Sequence, residues 1–166
     1  MKASFRNVVP VALLLCLAGA FAFALSARDK APPAEFTSLS GQKVSLAGLK
    51  GKVVLVNFWA TDCPGCIAEM PRLIATYNKY RNQGLETIAV AMSYDRPDYV
   101  LTYTERNALP FTVSLDPLGR IAQAFKDVQL TPTTFVIDKQ GRIVQRLVGE
   151  PDFSRLHALI EKELQA

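Results

Sequence analysis

The sequence predicts an α/β domain in which a mixed central β-sheet is flanked by helices. The first observation is the apolar run Val53–Phe58, rich in β-branched residues, which is typical of a strand buried on both faces. The second is the change to helical spacing directly after it, at Ile67, Met70, Leu73, Ile74 and Tyr77. The third is the order of the segments that follow, β-α-β-α-β-α-β-β-α counted from this strand, which favours a sheet covered by helices.

An N-terminal β-hairpin is expected to precede the central strand. Phe36–Leu39 and Lys43–Leu46 flank a turn at Ser40-Gly41, and the second segment alternates apolar with polar residues. Residues 47–52 contain two glycines and are expected to form the turn that leads into the sheet.

The first long helix is expected from Cys63 to Arg81. Pro71 lies inside this segment, removes one backbone donor and should bend the helix axis. Asn82-Gln83-Gly84 follows the last apolar residue of the stripe and is typical of a helix end.

The second half of the chain alternates strand-like and helix-like segments. Residues 86–93 contain the run Thr-Ile-Ala-Val-Ala-Met and predict another buried strand, while Pro and Asp at the start of residues 97–107 are typical of a helix opening. The remaining predicted elements are a strand at 111–115, a short helix at 118–125, a hairpin of 133–138 and 142–148 across Lys139-Gln140-Gly141, and a closing helix at 153–164.

Cys63 and Cys66 lie where the central strand meets the first helix. The first turn of a helix carries unpaired N–H groups and the positive end of the helix dipole, which stabilise a thiolate. In such Cys-x-x-Cys motifs the thiol pKa falls to roughly 3.5–7.5. Pro64 suits the first helical position, where its missing N–H costs nothing. We therefore expect Cys63 to be the exposed nucleophile and Cys66, one turn deeper, to be the resolving thiol.

A structural disulfide or half of a zinc site would also account for this pair. A structural zinc site needs about four ligands. The other cysteine is Cys16, in the N-terminal apolar segment, and the one histidine is His157, expected to be exposed on the closing helix. No metal or cofactor is therefore expected.

The first 27 residues are predicted to be a signal peptide or a membrane anchor. Lys2 and Arg6 precede an uncharged stretch at residues 8–25, and Ala22-Phe23-Ala24 offers a cleavage site. Cleavage and anchoring both stay open, because the stretch is long for a signal core and short for a span. Either outcome exports the rest of the chain. Residues 28–34 are expected to be a linker, and residues 35–166 the domain.

The charge balance gives no indication of a nucleic-acid partner. The formal net charge of +4 includes Lys2 and Arg6, so it is +2 without the leader, and this gives no case for nucleic acid.

Outside the cytosol thiols tend to be oxidised. A redox pair there needs an external electron donor or acceptor, and it acts on other exported proteins.

Two stretches, residues 49–71 and 131–138, carry a family resemblance. The first reads Leu-Lys-Gly-Lys-Val-Val-Leu-Val-Asn-Phe-Trp-Ala-Thr-Asp-Cys-Pro-Gly-Cys-Ile-Ala-Glu-Met-Pro, and the second reads Thr-Pro-Thr-Thr-Phe-Val-Ile-Asp. They resemble the thioredoxin superfamily and, more narrowly, the TlpA/ResA-type exported thiol–disulfide oxidoreductases. The resemblance covers about residues 35–166. It implies a thioredoxin-like fold in which Cys63 and Cys66 form the redox disulfide.

The resemblance also implies roles for residues around the pair. Pro132 matches a cis-proline that faces the cysteines, and Thr131 before it is then a substrate contact. Glu69 matches an acid that moves protons for the pair. Trp59 and Pro64 are expected beside the substrate. The competing interpretations are a trans proline at a strand start, a solvated carboxylate at Glu69 and a plain core tryptophan.

The chain departs from the family at three places. Asn57 stands where cytosolic thioredoxins carry a buried aspartate, so that proton route is absent. Asp62 precedes the first cysteine, and its negative charge should raise the pKa of Cys63 modestly. Pro64-Gly65 is an uncommon pair between the cysteines. The last two departures bear on the redox potential.

The resemblance favours reduction of disulfides in exported proteins, with a membrane electron donor and cytochrome c maturation as a destination. A thiol peroxidase is an alternative, because Pro64-Gly65-Cys66 is similar to some peroxiredoxins. Those enzymes need a proline and a Thr or Ser where this chain has Trp59 and Cys63. A copper-binding chaperone on the same fold is another alternative, since thiolates bind copper(I). The cysteines of such chaperones are spaced one residue wider.

Overall fold

A computed structural model describes residues 28–166 of the chain. The signal or anchor that we predict in residues 1–27 lies outside the described residues, as does Cys16. Within residues 28–166, no helix is both long enough and apolar enough to cross a membrane.

The central sheet is mixed, as predicted. An antiparallel hairpin of β1 (Glu35–Thr37) and β2 (Lys43–Ser45) precedes it. The five strands of the central sheet are β3 (Val53–Trp59), β4 (Leu85–Ala91), β5 (Thr112–Leu115), β6 (Thr133–Ile137) and β7 (Ile143–Val148). Their order across the sheet is β5-β4-β3-β6-β7. The strands β3, β4 and β5 are parallel, and β6 is antiparallel to both of its neighbours. The central strand β3 is buried along its whole length.

Four α-helices surround the sheet in the described part of the chain. They are α1 (Pro64–Tyr80), α2 (Pro97–Arg106), α3 (Arg120–Ala124) and α4 (Phe153–Gln165). Each predicted helix is present, with ends that differ from the prediction by at most two residues, and α1 continues through Pro71. A 3₁₀ turn follows α1 and ends at Gly84, whose φ of 106° is a left-handed conformation that glycine adopts without strain.

Alternate residues of β3 supply two separate apolar cores. Val53, Leu55 and Trp59 face α1, α2 and α4, and pack with apolar residues of those helices. The side chains of Val54, Val56 and Phe58 face the other way, toward α3 and the N-terminal hairpin. This alternation explains why the strand is apolar on both faces: each face meets its own layer.

Residues 28–34, which we predicted as a linker, are bonded to the domain. The Arg28 guanidinium donates to both carboxylate oxygens of Glu163, at 2.8 and 2.9 Å, and to Asp138 at 3.2 Å. Next to it, Ile143 N–H donates to the carbonyl oxygen of Asp29. These contacts form because two nearly buried carboxylates, far away in sequence, need a cationic partner.

His157 is half-buried between α1 and α4, which corrects the prediction of an exposed side chain. Its Nε2 lies 2.8 Å from Oγ1 of Thr76. Since that hydroxyl donates to the carbonyl oxygen of Arg72, Nε2 is the donor to Thr76. The imidazole ring also packs edge-on against Tyr80. Burial lowers the pKa of His157.

Candidate active site

Cys63 and Cys66 form a disulfide bond at the start of α1, with their Cα atoms 5.3 Å apart. Cys63 is the N-cap of the helix, and its Sγ accepts the backbone N–H of Cys66 at 3.2 Å. Pro64 occupies the first helical position and is exposed. Cys63 is half-buried, whereas Cys66 has no exposed surface. The geometry therefore offers one accessible sulfur and one hidden behind it.

The Thr131–Pro132 peptide bond is cis, and the proline faces the redox turn. A Cβ atom added to Gly65 would lie 3.5 Å from Cδ of Pro132. The carbonyl oxygen of Pro132 accepts the N–H of Gly149 at 2.8 Å, while Thr131 stays half-exposed. The structure thus brings the Thr131–Pro132 loop, which the family resemblance implies, directly against the turn between the cysteines.

Trp59 is the last residue of β3, and its side chain has no exposed surface. Its indole packs against the ring of Tyr103, with the ring centroids 5.3 Å apart. Nε1 has no hydrogen-bond partner among residues 28–166. We had expected Trp59 to contact substrate; a fully buried side chain instead agrees with the alternative of a core residue beneath the site.

Glu69 is only 1% exposed, so the alternative of a solvated carboxylate is wrong. It lies one turn beyond Cys66 on α1. Its Oε1 accepts a hydrogen bond from Nδ2 of Asn57 at 2.9 Å, and the same amide nitrogen donates to Oγ1 of Thr134 at 3.0 Å. Oε2 of Glu69 has no partner in the described part of the chain. The Asn57 amide of β3 therefore links the Glu69 carboxyl group of α1 to Thr134 of β6.

Burial raises the pKa of Glu69 from its ordinary value of 4.5 to about 7. The hydrogen bond from Asn57 acts in the opposite direction, and the negative charge of Glu150 adds a smaller increase. A carboxyl group that titrates near neutrality can both accept and return a proton at physiological pH. The proton-transfer role of Glu69 that the resemblance implies stays a prediction.

Two residues that depart from the family pattern, Asp62 and Asn57, differ in their exposure. Asp62 is exposed next to Cys63, and the expected effect of its charge on the cysteine pKa stays a prediction. Asn57 is fully buried, and its amide takes part in the contact with Glu69. No group of three or more metal-ligating side chains comes together within residues 28–166.

Sequence reasoning missed the residues that hold the turn before Cys63. Asp95 follows β4 and accepts two hydrogen bonds from Thr61, and Tyr94 contacts Thr131. One signal could have found them. The carboxyl ends of adjacent parallel strands meet at one edge of a sheet, so polar residues just after β4 belong beside the end of β3.

Comparisons with known proteins give a consistent result. The family model for Redoxin matches residues 26–160. The thiol-disulfide oxidoreductase ResA of Bacillus cereus is 36% identical over 169 residues, covering 95% of this chain and 96% of that protein. ResA of Bacillus subtilis is 32% identical over 133 residues, covering 80% and 73%.

Solved structures show the same fold. A candidate thioredoxin from Neisseria meningitidis superimposes with a TM-score of 0.77 at 42% identity, over 82% of this chain and 91% of that one. A thiol:disulfide interchange protein of the thioredoxin family from Chlorobium tepidum gives 0.76 at 25% identity, over 84% and 98%. The predicted thioredoxin-like fold is therefore confirmed.

Proposed function

Because the chain belongs to the Redoxin family and is a ResA-like thiol–disulfide oxidoreductase, we propose that it reduces disulfide bonds of exported proteins with Cys63 and Cys66. One observation carries this proposal: a half-buried Cys63 sulfur caps a helix beside the Thr131–Pro132 loop, with buried Cys66 bonded behind it. Such a pair can receive a substrate sulfur at Cys63 and release it through Cys66.

The exchange proceeds in two steps that balance in atoms and electrons. In the reduced enzyme, the Cys63 thiolate attacks one sulfur of the substrate disulfide. The substrate S–S bond breaks, a mixed disulfide forms, and the departing sulfur takes a proton. The Cys66 thiolate then attacks Sγ of Cys63 and releases the second substrate thiol. Two electrons have moved to the substrate, and the enzyme is left with the Cys63–Cys66 disulfide.

Glu69 is the proposed proton acceptor for Cys66. The Cys66 thiol must lose its proton before it can resolve the mixed disulfide, and bulk water does not reach this buried sulfur in the described structure. Glu69 lies one helical turn away, is buried, and has a pKa of about 7. Its Oε2, unpartnered among the described residues, is the oxygen available to take the proton.

The half-exposed Thr131 is the proposed contact for the substrate backbone. It lies outside β6, and no backbone group of residues 28–166 bonds to its N–H or carbonyl group. An extended substrate segment can therefore pair with it in the manner of an added strand. Such pairing would hold the substrate disulfide over Cys63.

The proposed location is extracytoplasmic, with residues 1–27 as a cleaved signal or as an anchor in residues 8–25. The support is the sequence pattern of that segment. A membrane protein that carries a dithiol is the proposed electron donor, and cytochrome c maturation the proposed destination. A fusion of residues 1–34 to a reporter enzyme that is active only after export tests the location. An inactive reporter would contradict it.

Reduction of a mixed-disulfide peptide by dithiothreitol, catalysed by the purified full-length protein, tests the reaction. Cys63→Ser should abolish turnover, and Cys66→Ser should accumulate a stable mixed disulfide with the peptide, visible by mass spectrometry. Cys16→Ser is the matched control, because that cysteine lies in the N-terminal segment, and it should keep the wild-type rate. Full turnover by Cys63→Ser would refute the assignment, and peroxide consumption or copper titration would then test the alternatives.

A further inference from the structure

A single acidic residue outside the redox motif holds the turn that carries Cys63. Asp95 lies in the loop between β4 and α2, and both of its carboxylate oxygens face Thr61. Oδ2 accepts the backbone N–H of Thr61 at 2.6 Å, and Oδ1 accepts the Thr61 hydroxyl at 2.6 Å. Hydrogen bonds to an ionised carboxylate are stronger than those between neutral groups, and this two-point contact fixes direction as well as distance.

Thr61 belongs to the turn that leads from β3 to Cys63. The backbone N–H of Cys63 donates to the carbonyl oxygen of Ala60 at 3.3 Å, which closes this turn around Thr61 and Asp62. One residue earlier, the carbonyl oxygen of Trp59 accepts the N–H of Met92 at 3.0 Å. The segment before Cys63 is therefore attached to the β4 side at two successive points.

The loop that contains Asp95 is itself fixed at both ends. Asp95 N–H donates to the carbonyl oxygen of Met92 at 3.0 Å, so the loop begins as a tight turn at the end of β4. At its other end the carbonyl oxygen of Arg96 accepts the N–H groups of the first turn of α2, including that of the fully buried Val100. The loop around Asp95 is thus bonded to the end of β4 on one side and to the start of α2 on the other.

The neighbouring residue reaches the opposite side of the site. The Tyr94 hydroxyl lies 3.3 Å from Oγ1 of Thr131, on the loop that faces the cysteines. Two consecutive residues therefore contact the two loops that must stay in register: Asp95 touches the turn before Cys63, and Tyr94 touches the Thr131–Pro132 loop.

We propose that Asp95 is a positioning residue for disulfide exchange, acting through Thr61 to hold Cys63 at the helix N-cap and in register with the Thr131–Pro132 loop. The inference rests on the proposed function, because it assumes that Cys63 is the attacking sulfur. Nucleophilic attack on a disulfide requires the reacting sulfurs to be held close and aligned, so a looser turn lowers the rate. The hydrogen bond from Cys66 N–H to Sγ of Cys63 favours the thiolate, and a looser turn weakens this bond.

The pKa of Cys63 separates positioning from a simple charge effect, because the two predict opposite signs. Loss of a nearby negative charge alone lowers the pKa of a thiol. Loss of the N-cap geometry raises it. In the reduced full-length protein, Asp95→Ala should raise the pKa of Cys63, measured from the pH dependence of its alkylation by iodoacetamide. It should also lower kcat/KM for the mixed-disulfide peptide by roughly ten- to a hundredfold.

Asp98→Ala is the matched control. Asp98 carries the same charge three residues later, but it is exposed and bonds to Arg96 rather than to the redox turn. This variant should keep kcat/KM within about twofold of wild type, because it removes an equal charge without breaking a hydrogen bond to the redox turn. The proposal would be overturned if Asp95→Ala and Asp98→Ala had equal rates and equal pKa values of Cys63. A lowered pKa of Cys63 in Asp95→Ala would also overturn it.

Variants at Thr61 keep the test decisive if Asp95→Ala does not fold. Thr61→Ser retains both hydrogen bonds and should behave as wild type, whereas Thr61→Val loses the hydroxyl and should reproduce part of the defect. Asp95→Ala combined with Thr61→Val should be no slower than Asp95→Ala alone, because both changes break one contact. Additive losses would overturn the proposal. A wild-type protein that alkylates as expected but does not reduce the peptide would instead contradict the proposed function.

Discussion

The Asn57 amide donates to Oε1 of Glu69 at 2.9 Å, between a strand and a helix that are both fully buried at this point. The bond fixes one carboxyl oxygen and leaves Oε2 without a partner in the described part of the chain. An aspartate in place of Asn57 would set two carboxyl groups against each other. The asparagine therefore makes it possible to bury one titrating acid beside the cysteines.

Stability should depend on pH through Glu69. Its folded-state pKa of about 7 lies above its ordinary value of 4.5, so the folded protein retains a proton that the unfolded chain loses between these values. The free energy of unfolding should therefore fall as the pH rises from 4.5 to about 7, by an amount on the order of 3 kcal/mol, and level off above. Urea unfolding of the oxidised protein at several pH values measures this.

Glu69→Gln should remove that dependence, because the amide keeps the shape and does not titrate. The variant should be more stable than wild type above pH 7 and nearly equal to it at pH 4.5. Glu105→Gln, at an exposed position of α2, is the control and should leave the slope unchanged. The same slope in Glu69→Gln as in wild type would show that burial of this carboxyl does not set the pH dependence.

The two cysteines should differ in reactivity after reduction. Cys63 is half-buried at the helix N-cap, whereas Cys66 has no exposed surface. Iodoacetamide at pH 7 should therefore modify Cys63 first, at a rate above that of an unstructured thiol, because the N-cap stabilises the thiolate. Peptide mapping by mass spectrometry after a short exposure identifies the modified cysteine. Earlier modification of Cys66 would contradict the assignment of roles.

The turn between the cysteines should tolerate a methyl group but not a large side chain. A Cβ atom at Gly65 meets Cδ of Pro132 at 3.5 Å, an ordinary van der Waals contact. Gly65→Ala should keep kcat/KM within about threefold of wild type. Gly65→Leu needs space that Pro132 occupies and should lose about tenfold or more. Melting temperatures measured beside the rates separate lost activity from lost folding, and equal rates for the two variants would contradict the contact.

Arg28 should stabilise the domain although it precedes the first strand. Arg28→Ala leaves Glu163, which is 2% exposed, without its guanidinium, and should lower the free energy of unfolding by about 1–3 kcal/mol. Adding Glu163→Gln should recover part of this loss, because a neutral amide is less costly to bury than a carboxylate. Lys43→Ala, which removes an exposed ion pair with Glu35, should change the free energy of unfolding far less, because solvent screens that pair. An equal decrease in the free energy of unfolding for Arg28→Ala and Lys43→Ala would show that the Arg28–Glu163 pair stabilises the domain no more than an exposed pair does.

Structural features that depend on residues close together in the chain could be predicted from the sequence. The apolar run of β3, the change to helical spacing after Cys66, and Pro64 at the helix start lie within a few residues of one another, so they predicted both the strand–helix junction and the place of the cysteines. The cis bond before Pro132 followed from the resemblance rather than from such local patterns.

Contacts between distant segments could not be predicted in this way. Arg28 and Glu163 are 135 residues apart, and Asp95 and Thr61 are 34 apart, so no periodic pattern connects them. Burial of Trp59 and His157 depends on which layer covers each side chain, and that is decided by the packing of α1, α2 and α4. The residues missed are those whose partners belong to another element.

The contacts of Arg28 place the start of the domain at the end of the sheet opposite the redox pair. Arg28 bonds to Asp138, just beyond the last residue of β6, whereas Pro132 precedes its first residue and Cys63 follows the far end of antiparallel β3. The chain therefore enters the domain roughly 20 Å from the redox sulfur, the length of a strand of this size. A membrane anchor in residues 8–25 would hold the domain at the end of the sheet where Arg28 contacts Asp138. Sγ of Cys63 would then face away from the bilayer, toward partners in the aqueous compartment.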